Sequence, residues 1–314
     1  MNFSFARLGF SIKAIDTLHL YQFAGSTLRG AFGNILKNII CIHSNKKLRV
    51  CNNCILKSAC IYSYIFETPV TDTSTSNRMY TNYAPHPFII EPPLINQEQE
   101  YKKGESVNFH FVLIGNSLKL LPYFIYTFEK MGESGLGKYR SKFELQKVWV
   151  DSNNEKINIY SKNKRTLSLE YPVQKYSYFD DMTTSSDKLK IQFITPVRMK
   201  HNGKLVRTIE FPIVVTNLLR RITSLTQVKD KDGVKIKEMI NKSKEVKKIY
   251  DRTEWVDYER YSFRQKSRMK LGGLIGEVHF QGSFNLFYPY LKVGEYIHLG
   301  KNTSFGLGKY LLIE

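Results

Sequence analysis

Hydrophobic and polar positions follow a regular succession in the first half of the chain. FSFARLGFSI, near the N-terminus, alternates as a strand does, and Phe23 to Ile40 carries apolar residues at helical spacing. A proline-flanked strand in PHPFIIEPP and a second alternating run, Ser106 to Gly115, come next. Leu118 to Met131 predicts another helix, since proline is compatible with a first helical turn, and a glycine turn then leads into a last strand.

The same succession begins again at Leu189. LKIQFITPVRM predicts a strand and PIVVTNLLRRITSL a helix, and the highly charged segment from Gln227 to Lys270 is predicted to be helical in part. The C-terminal part predicts a glycine-flanked strand, a short helical or irregular piece, a glycine turn and a final strand.

Each half therefore predicts the order βαββαβ. This order is typical of a ferredoxin-like fold, in which two helices cover one face of a sheet. We predict an α+β protein with two tandem ferredoxin-like domains at residues 1–180 and 181–314, and a cysteine-containing insertion at residues 41–60 of the first domain.

The pentapeptide GLGKY occurs twice, at Gly135–Tyr139 and Gly306–Tyr310. Because the surrounding elements repeat as well, we interpret it as a mark of equivalent turns in two copies of one module, with a chance match as the alternative.

Charge adds information about the partner. Lys plus Arg total 47 against 28 for Asp plus Glu, a net charge of +19, and 20 Tyr and 20 Phe are dispersed among them. Such an imbalance costs self-repulsion and favours binding to a polyanion such as nucleic acid over a merely solvated basic surface.

The apolar runs are short and interrupted by charge. Arg7 and Lys13 break the N-terminal run, and no window provides the ~18 uncharged apolar residues that a membrane span requires. We therefore expect a cytoplasmic protein without a membrane partner.

The last glycine turn has the composition of a phosphate-binding loop. Glycines let backbone N–H groups converge on an anion, and lysines add full charges, although a turn without a ligand is the alternative. The predicted RNA contacts here are Gly300, Lys301, Asn302, Thr303, Ser304, Gly306, Gly308 and Lys309.

Two further segments predict contacts with a nucleic-acid backbone and its bases. In WVDYERYSFRQKSRMK, basic residues alternate with aromatic ones, a mixture that suits backbone binding and base stacking, with a solvated helix face as the alternative. Its candidates are Arg260, Tyr261, Arg264, Lys266 and Arg268. The first GLGKY turn adds Lys138 and Arg140.

The four cysteines, Cys41, Cys51, Cys54 and Cys60, fall within one short segment. One CxxC pair with two further thiols suits a tetrahedral structural zinc site. An iron–sulfur cluster and unliganded thiols are the alternatives. His43 lies in the same segment and is a possible ligand in place of one cysteine.

Five segments of the chain carry a further signal, namely LRGAFG, CIYSYIFETP, ITPVRM, RYSFRQKSRMKLGGLIGEV and HLGKNTSFGLGKY. Together they resemble the CRISPR RNA-processing endoribonucleases of the RAMP superfamily. The resemblance implies two ferredoxin-like domains that bind CRISPR repeat RNA and cut it without a metal. The glycine signature of this family, G-x-G-x5-G-x-G, is matched by Gly300, Gly306 and Gly308, whereas His298 stands in place of the first glycine.

The resemblance also locates the candidate catalytic residues. It implies a catalytic histidine just after the first helix, where His43 lies, with Lys46 close by as a cation for the phosphate. His298 is the rival because it adjoins the glycine turn. Histidine suits proton transfer near neutral pH. The expected function is metal-independent cleavage of CRISPR precursor RNA by 2′-hydroxyl attack, and the alternative is a non-cutting RNA-binding subunit of a CRISPR effector complex.

Overall fold

The structure is a computed structural model, and it describes residues 3–43, 50–69, 84–94, 98–152, 155–226, 233–262 and 267–313. The chain divides into two compact units. One comprises Ser4–Val173, and the other comprises Gln174–Glu314 together with Met1–Phe3. We refer to them as the N-terminal and C-terminal units.

The N-terminal unit contains eight strands and two helices within its described residues. The helices are α1 (Ala24–Ile40) and α2 (Leu121–Ser134), and α2 begins with a proline in its first turn, as the sequence predicts. The strands are β1 (Ser4–Ala14), β2 (Leu18–Leu20), β3 (Phe88–Glu91), β4 (Gln99–Tyr101), β5 (Ser106–Ile114), β6 (Phe143–Ser152), β7 (Glu155–Ser161) and β8 (Thr166–Leu167).

The main sheet of this unit has the order β3-β5-β1-β6-β7-β8. β1 pairs antiparallel with both β5 and β6, which gives the central four strands the ferredoxin-like arrangement. Alternate residues of β1, such as Leu8 and Phe10, join Phe32 of α1 and Phe128 of α2 in one buried aromatic and aliphatic core.

The C-terminal unit repeats this arrangement. Its helices are α3 (Phe211–Thr226), α4 (Gly233–Lys242) and α5 (Tyr288–Ile297). Its strands are β9 (Gln174–Lys175), β10 (Lys188–Val197), β11 (Lys200–His201), β12 (Lys204–Leu205), β13 (Lys247–Ser262), β14 (Ser267–Gln281) and β15 (Tyr310–Ile313). The sheet order β13-β14-β10-β15 again has the first strand of the motif in its centre. The α+β class with tandem ferredoxin-like units is thus confirmed.

The charged segment after α3 is helical in part, as the sequence predicts. α4 is its helix, whereas Lys247–Ser262 forms a strand of 16 residues, which excludes the alternative of a solvated helix face there. It pairs with β14 from Lys247↔Gln281 to Ser262↔Ser267. Because the pairing of β10 with β14 extends only as far as Val197↔Leu274, the distal part of the β13–β14 hairpin is a two-stranded ribbon that extends past β10. We call this distal part, in which Val256–Ser262 pairs with Ser267–Gly273, the ribbon.

No helix in the described part of the chain has both the length and the apolar character that crossing a bilayer requires. A cytoplasmic location remains a prediction.

Candidate nucleic-acid interface

His43 lies shortly after α1, at the place where the resemblance expects a catalytic histidine. The helix ends at Ile40, and the backbone N–H of Cys41 still donates to the carbonyl oxygen of Lys37. The His43 side chain is half-buried and lines a cavity that is open to solvent. Lys46 falls within residues 44–49, outside the described residues.

Cationic and aromatic groups lie close to this cavity. Lys57 and Tyr62 line it, and the ammonium nitrogen of Lys37 lies 5.0 Å from the centroid of the Tyr62 ring. Burial raises the pKa of the Cys51 thiol, and the nearby positive charge of Lys37 opposes that shift. His43 therefore lies in an electropositive environment that suits a phosphate group. Sequence reasoning missed Lys37 and Lys57 because their positions on a helix and a loop gave no motif.

His298 has a different environment. Its side chain is 0% exposed, and its Nδ1 lies 3.1 Å from the carbonyl oxygen of Leu307. It is the C-cap of α5, with φ 61° and ψ 167°, a backbone conformation that is almost exclusive to glycine. His298 thus has a backbone conformation that glycine adopts readily, and its imidazole does not reach solvent.

The C-terminal glycine turn packs against the end of β10. Gly300, Gly306 and Gly308 all have positive φ angles. A Cβ atom at Gly300 would lie 2.5 Å from the carbonyl oxygen of Arg198, and one at Gly308 would collide with the carbonyl oxygen of Leu299. Close backbone approach therefore requires glycine at both positions.

Several N–H groups of this turn donate within the protein. The amide of Lys301 donates to the carbonyl of Arg198, that of Gly308 to Pro196, and that of Lys309 to the Thr195 hydroxyl. Thr303 and Ser304 are buried, Asn302 and Lys309 are half-buried, and Lys301 is exposed. In this conformation the turn offers RNA mainly its lysine side chains. The phosphate contacts of its backbone remain a prediction.

The two GLGKY turns occupy equivalent places, between the second helix and the last strand of each ferredoxin-like motif. Their tyrosines differ. Tyr139 is 59% exposed, and the Lys138 ammonium nitrogen lies 5.4 Å from its ring centroid. Tyr310 is 0% exposed, and its hydroxyl donates to the carbonyl oxygen of Leu291 at 2.6 Å. Because Lys138 and Arg140 are also exposed, the first turn presents both charge and an aromatic ring to solvent.

The predicted basic and aromatic segment forms the ribbon. Its register places Tyr261 opposite Arg268 and Arg260 opposite Met269. Arg264 and Lys266 belong to residues 263–266, which lie outside the described residues. The antiparallel pairing thus brings together three of the five predicted RNA-binding positions, Arg260, Tyr261 and Arg268. In a helix, these three positions would not be neighbours on paired strands.

A cationic and aromatic cluster near the base of the ribbon was missed by sequence reasoning. The guanidinium carbon of Arg207 lies 3.8 Å from the centroid of the Trp255 ring, and that of Arg198 lies 5.9 Å from it. Arg198 also donates through Nη1 to the carbonyl oxygen of Gly272. These residues come from three separate elements, so no local pattern indicated that they meet. Arg207 is exposed and remains available to a ligand.

The four cysteines are brought together around one cavity. Cys41, Cys51, Cys54 and Cys60 all line the cavity that contains His43, and none is in a disulfide. Within the described residues, no three His, Cys, Asp or Glu side chains are grouped closely enough to hold a metal ion as they stand.

Two family models match the chain. The C-terminal unit, over residues 191–310, matches the model of the CRISPR-associated endoribonuclease Cas6. Residues 3–172 match a model described as an N-terminal domain. No curated protein is a significant sequence match.

Solved structures of Cas6 proteins share the fold. The Cas6 (TTHB231) product complex, of a Thermus thermophilus protein, has a TM-score of 0.58 at 12% identity over 98% of this chain and 99% of that one. The Cas6 (TTHA0078) product complex has a TM-score of 0.50 at 16% identity over 100% of both chains. A partial Cas6-RT-Cas1–Cas2 complex has a TM-score of 0.58 at 11% identity over 99% of this chain and 46% of that one.

At these identities the structural likeness shows the fold alone. The match to the Cas6 model covers residues 191–310, which include most of β10, the ribbon and the glycine turn. The C-terminal part of the chain therefore matches the Cas6 family of CRISPR-associated endoribonucleases.

Proposed function

We propose that this protein cuts CRISPR precursor RNA within its repeat, without a metal ion in the chemical step. The family match over residues 191–310 is the observation that carries the proposal. RNA as the partner is consistent with the net charge of +19 and with the product complexes reported for Cas6 proteins of the same fold. Association with CRISPR effector subunits remains a prediction.

The reaction is an attack of the ribose 2′-oxygen on the adjacent phosphorus. The 2′-hydroxyl loses its proton as the new O–P bond forms, and the bond to the 5′-oxygen breaks as that oxygen gains a proton. The products are a 2′,3′-cyclic phosphate and a 5′-hydroxyl. A positioned acid or base contributes about 10²- to 10⁴-fold to such a step, and cations stabilise the charge that develops on the phosphorane.

His43 is the group that we assign to one of these proton transfers. It is half-buried, lines a solvent-open cavity and lies close to Lys57. Lys46 keeps its predicted role as a cation, and Lys37 and Lys57 add positive charge that favours binding of an anionic phosphate.

His298 is the weaker candidate because its ring is completely buried. Catalysis by His298 would require the turn to open, with loss of the contact to Leu307. We assign this residue to the packing of the turn. A variant at this position should then alter stability and leave the cleavage rate of the folded protein nearly unchanged.

Labelled repeat RNA provides the test. The protein is incubated with the RNA in EDTA, and the products are analysed for a cyclic phosphate end. We expect a single cut, which is abolished when the nucleotide on the 5′ side of the cut carries a 2′-deoxyribose. Binding without cleavage would contradict the proposal and indicate the non-cutting RNA-binding subunit instead.

Single variants test the assignment of the histidine. His43→Ala should lower the single-turnover cleavage rate by about 10²-fold or more, with RNA affinity largely retained. His201→Ala is the matched control, because His201 is exposed on β11. Equal cleavage rates for wild-type protein and His43→Ala would refute the role of His43 and leave the endoribonuclease function intact.

A further inference from the structure

Residues 50–60, which precede the helical turn at Ser63–Glu67, bury no apolar side chain. Among residues 50–60 none is buried. Ile55 is 92% exposed and Val50 is 55% exposed. A segment that buries no apolar side chain gains little from the hydrophobic effect, and small elements of this kind usually need a disulfide or a metal to hold one conformation.

The inward-facing side chains of this segment are instead cysteines, and they come from three places in the chain. Cys41 directly follows α1. Cys51 and Cys54 flank a tight turn, in which the N–H of Cys54 donates to the carbonyl oxygen of Cys51 at 3.3 Å. Cys60 leads into the helical turn, where its carbonyl oxygen accepts from the N–H of Tyr64 at 2.9 Å. Their thiols are free and half-buried, and they line the same solvent-open cavity as His43.

We propose that Cys41, Cys51, Cys54 and Cys60 bind one structural zinc ion in a tetrahedral four-thiolate site. Zinc accepts four thiolates at about 2.3 Å, and a CxxC pair on a tight turn supplies two ligands with compatible directions. The four side chains surround a cavity but are not yet grouped as ligands, so binding requires them to close on the ion. Such closure is typical of sites whose metal binding is coupled to local folding.

Charges around the cavity favour this ligand set. Zinc with four thiolates carries a net charge of −2, and this charge is offset by cations nearby. Lys57 lines the cavity. The ammonium of Lys37 lies 5.0 Å from the ring of Tyr62, which lines it as well. Among the described residues that line the cavity, Lys57 is the lysine and none is acidic, whereas Glu67 lies close enough to Cys51 to act on it electrostatically.

The ion would have a structural consequence for its neighbours. It would fix the end of α1, the tight turn and the start of the helical turn relative to one another. His43 lies between two of the ligands in sequence, so the same ion would hold the backbone on either side of it. This inference does not depend on the proposed cleavage activity.

Metal content of the full-length protein is the test. The chain is purified without a metal-binding tag, and its metals are measured by mass spectrometry. We expect about one zinc per chain, released in proportion to the thiols that a mercurial reagent modifies. Iron with visible absorption, or no bound metal, would overturn the proposal.

Variants then test the ligand set. Cys51→Ser and Cys54→Ser should lose the zinc, whereas Ser58→Ala, at an exposed position in the same segment, should retain it. Far-ultraviolet circular dichroism shows whether each variant remains folded.

If a cysteine variant fails to fold, replacement of the zinc by cobalt in wild-type protein gives an independent answer, because four thiolates and three thiolates with an imidazole have different spectra. We expect His43→Ala to retain the zinc and wild-type protein to give the four-thiolate spectrum. Loss of the zinc in His43→Ala would overturn the proposed ligand set.

Discussion

Arg207 stacks on Trp255, with its guanidinium carbon 3.8 Å from the ring centroid. Trp255 lies on β13 near the base of the ribbon, and Arg207 lies in the loop before α3. A guanidinium held flat on an indole is pre-organised, so it loses little conformational freedom when it binds a phosphate or a base. This cluster is therefore a strong candidate for RNA contact in the C-terminal unit.

Arg207→Ala should weaken RNA binding and lower the steepness of its salt dependence. Removal of one phosphate contact reduces the slope of log K against log salt by about 1. The measurement is RNA affinity at several salt concentrations. Arg207→Lys should keep the slope but lose affinity, because the ammonium cannot stack in the same way. Arg165→Ala, at an exposed position of the N-terminal unit, serves as the control. An unchanged slope in Arg207→Ala would exclude a direct phosphate contact.

The repeated pentapeptide offers a matched pair of tyrosine variants. Tyr310→Phe removes the buried hydroxyl and its hydrogen bond to the carbonyl oxygen of Leu291, which lies within α5, at a cost of about 0.5–1.5 kcal/mol. Tyr139→Phe changes an exposed side chain and should alter the free energy of unfolding by less than about 0.5 kcal/mol. Denaturant unfolding measures both. Similar effects of the two substitutions would contradict the difference in burial.

Glycine substitutions test the packing of the C-terminal turn. Gly308→Ala places a side chain at a φ of 77° and against the carbonyl oxygen of Leu299, so we expect destabilisation by at least about 1–3 kcal/mol. Gly30→Ala is the control. It lies at an exposed position of α1 with nothing within 4 Å of an added Cβ, and it should stabilise the protein by about 0.5–1 kcal/mol. Thermal unfolding shows whether each variant is less or more stable than the wild-type protein.

Alkaline pH should reveal a buried tyrosine. Burial raises the pKa of Tyr171 from 10.0 to about 12, and its hydroxyl donates to the carbonyl oxygen of Leu118. Because the unfolded chain loses this proton first, the contribution of Tyr171 to stability is complete below about pH 10 and is lost as the pH rises towards about 12. In the wild type, the midpoint of unfolding should fall as the pH rises through this range. In Tyr171→Phe it should fall less, because the ionisable hydroxyl is absent. Tyr178→Phe, at an exposed position, should leave the decline as in the wild type.

Much of the fold was predictable because its elements have clear hydrophobic periods. The helical spacing in α1 and α3 follows from one buried face, and β1 is apolar because most of its residues on both faces are buried. The charged strand β13 was not predictable in this way. β13 is an edge strand that pairs only with β14, and its distal half extends past the paired part of β10, so its sequence lacks the apolar alternation that burial imposes.

The sequence predicted the candidate site only where the residues concerned are close to one another along the chain. The cysteines and His43 are close in sequence, and they line one cavity. The burial of His298 and the contact between Arg207 and Trp255 depend on distant segments, and neither leaves a local pattern. The family resemblance identified the glycine turn but gave no indication that several of its amide N–H groups donate hydrogen bonds within the protein.

The ribbon has a consequence for dynamics. From Val256↔Gly273 outwards, its two strands pair with each other and not with β10, so their hydrogen bonds lack the protection of a third strand. Isolated two-stranded ribbons are marginally stable in water. Amide hydrogens there should exchange with solvent faster than those of Lys247–Trp255, and bound RNA should slow that exchange. Because β10 and β14 pair separately from it, the ribbon can open without breaking the hydrogen bonds between those two strands.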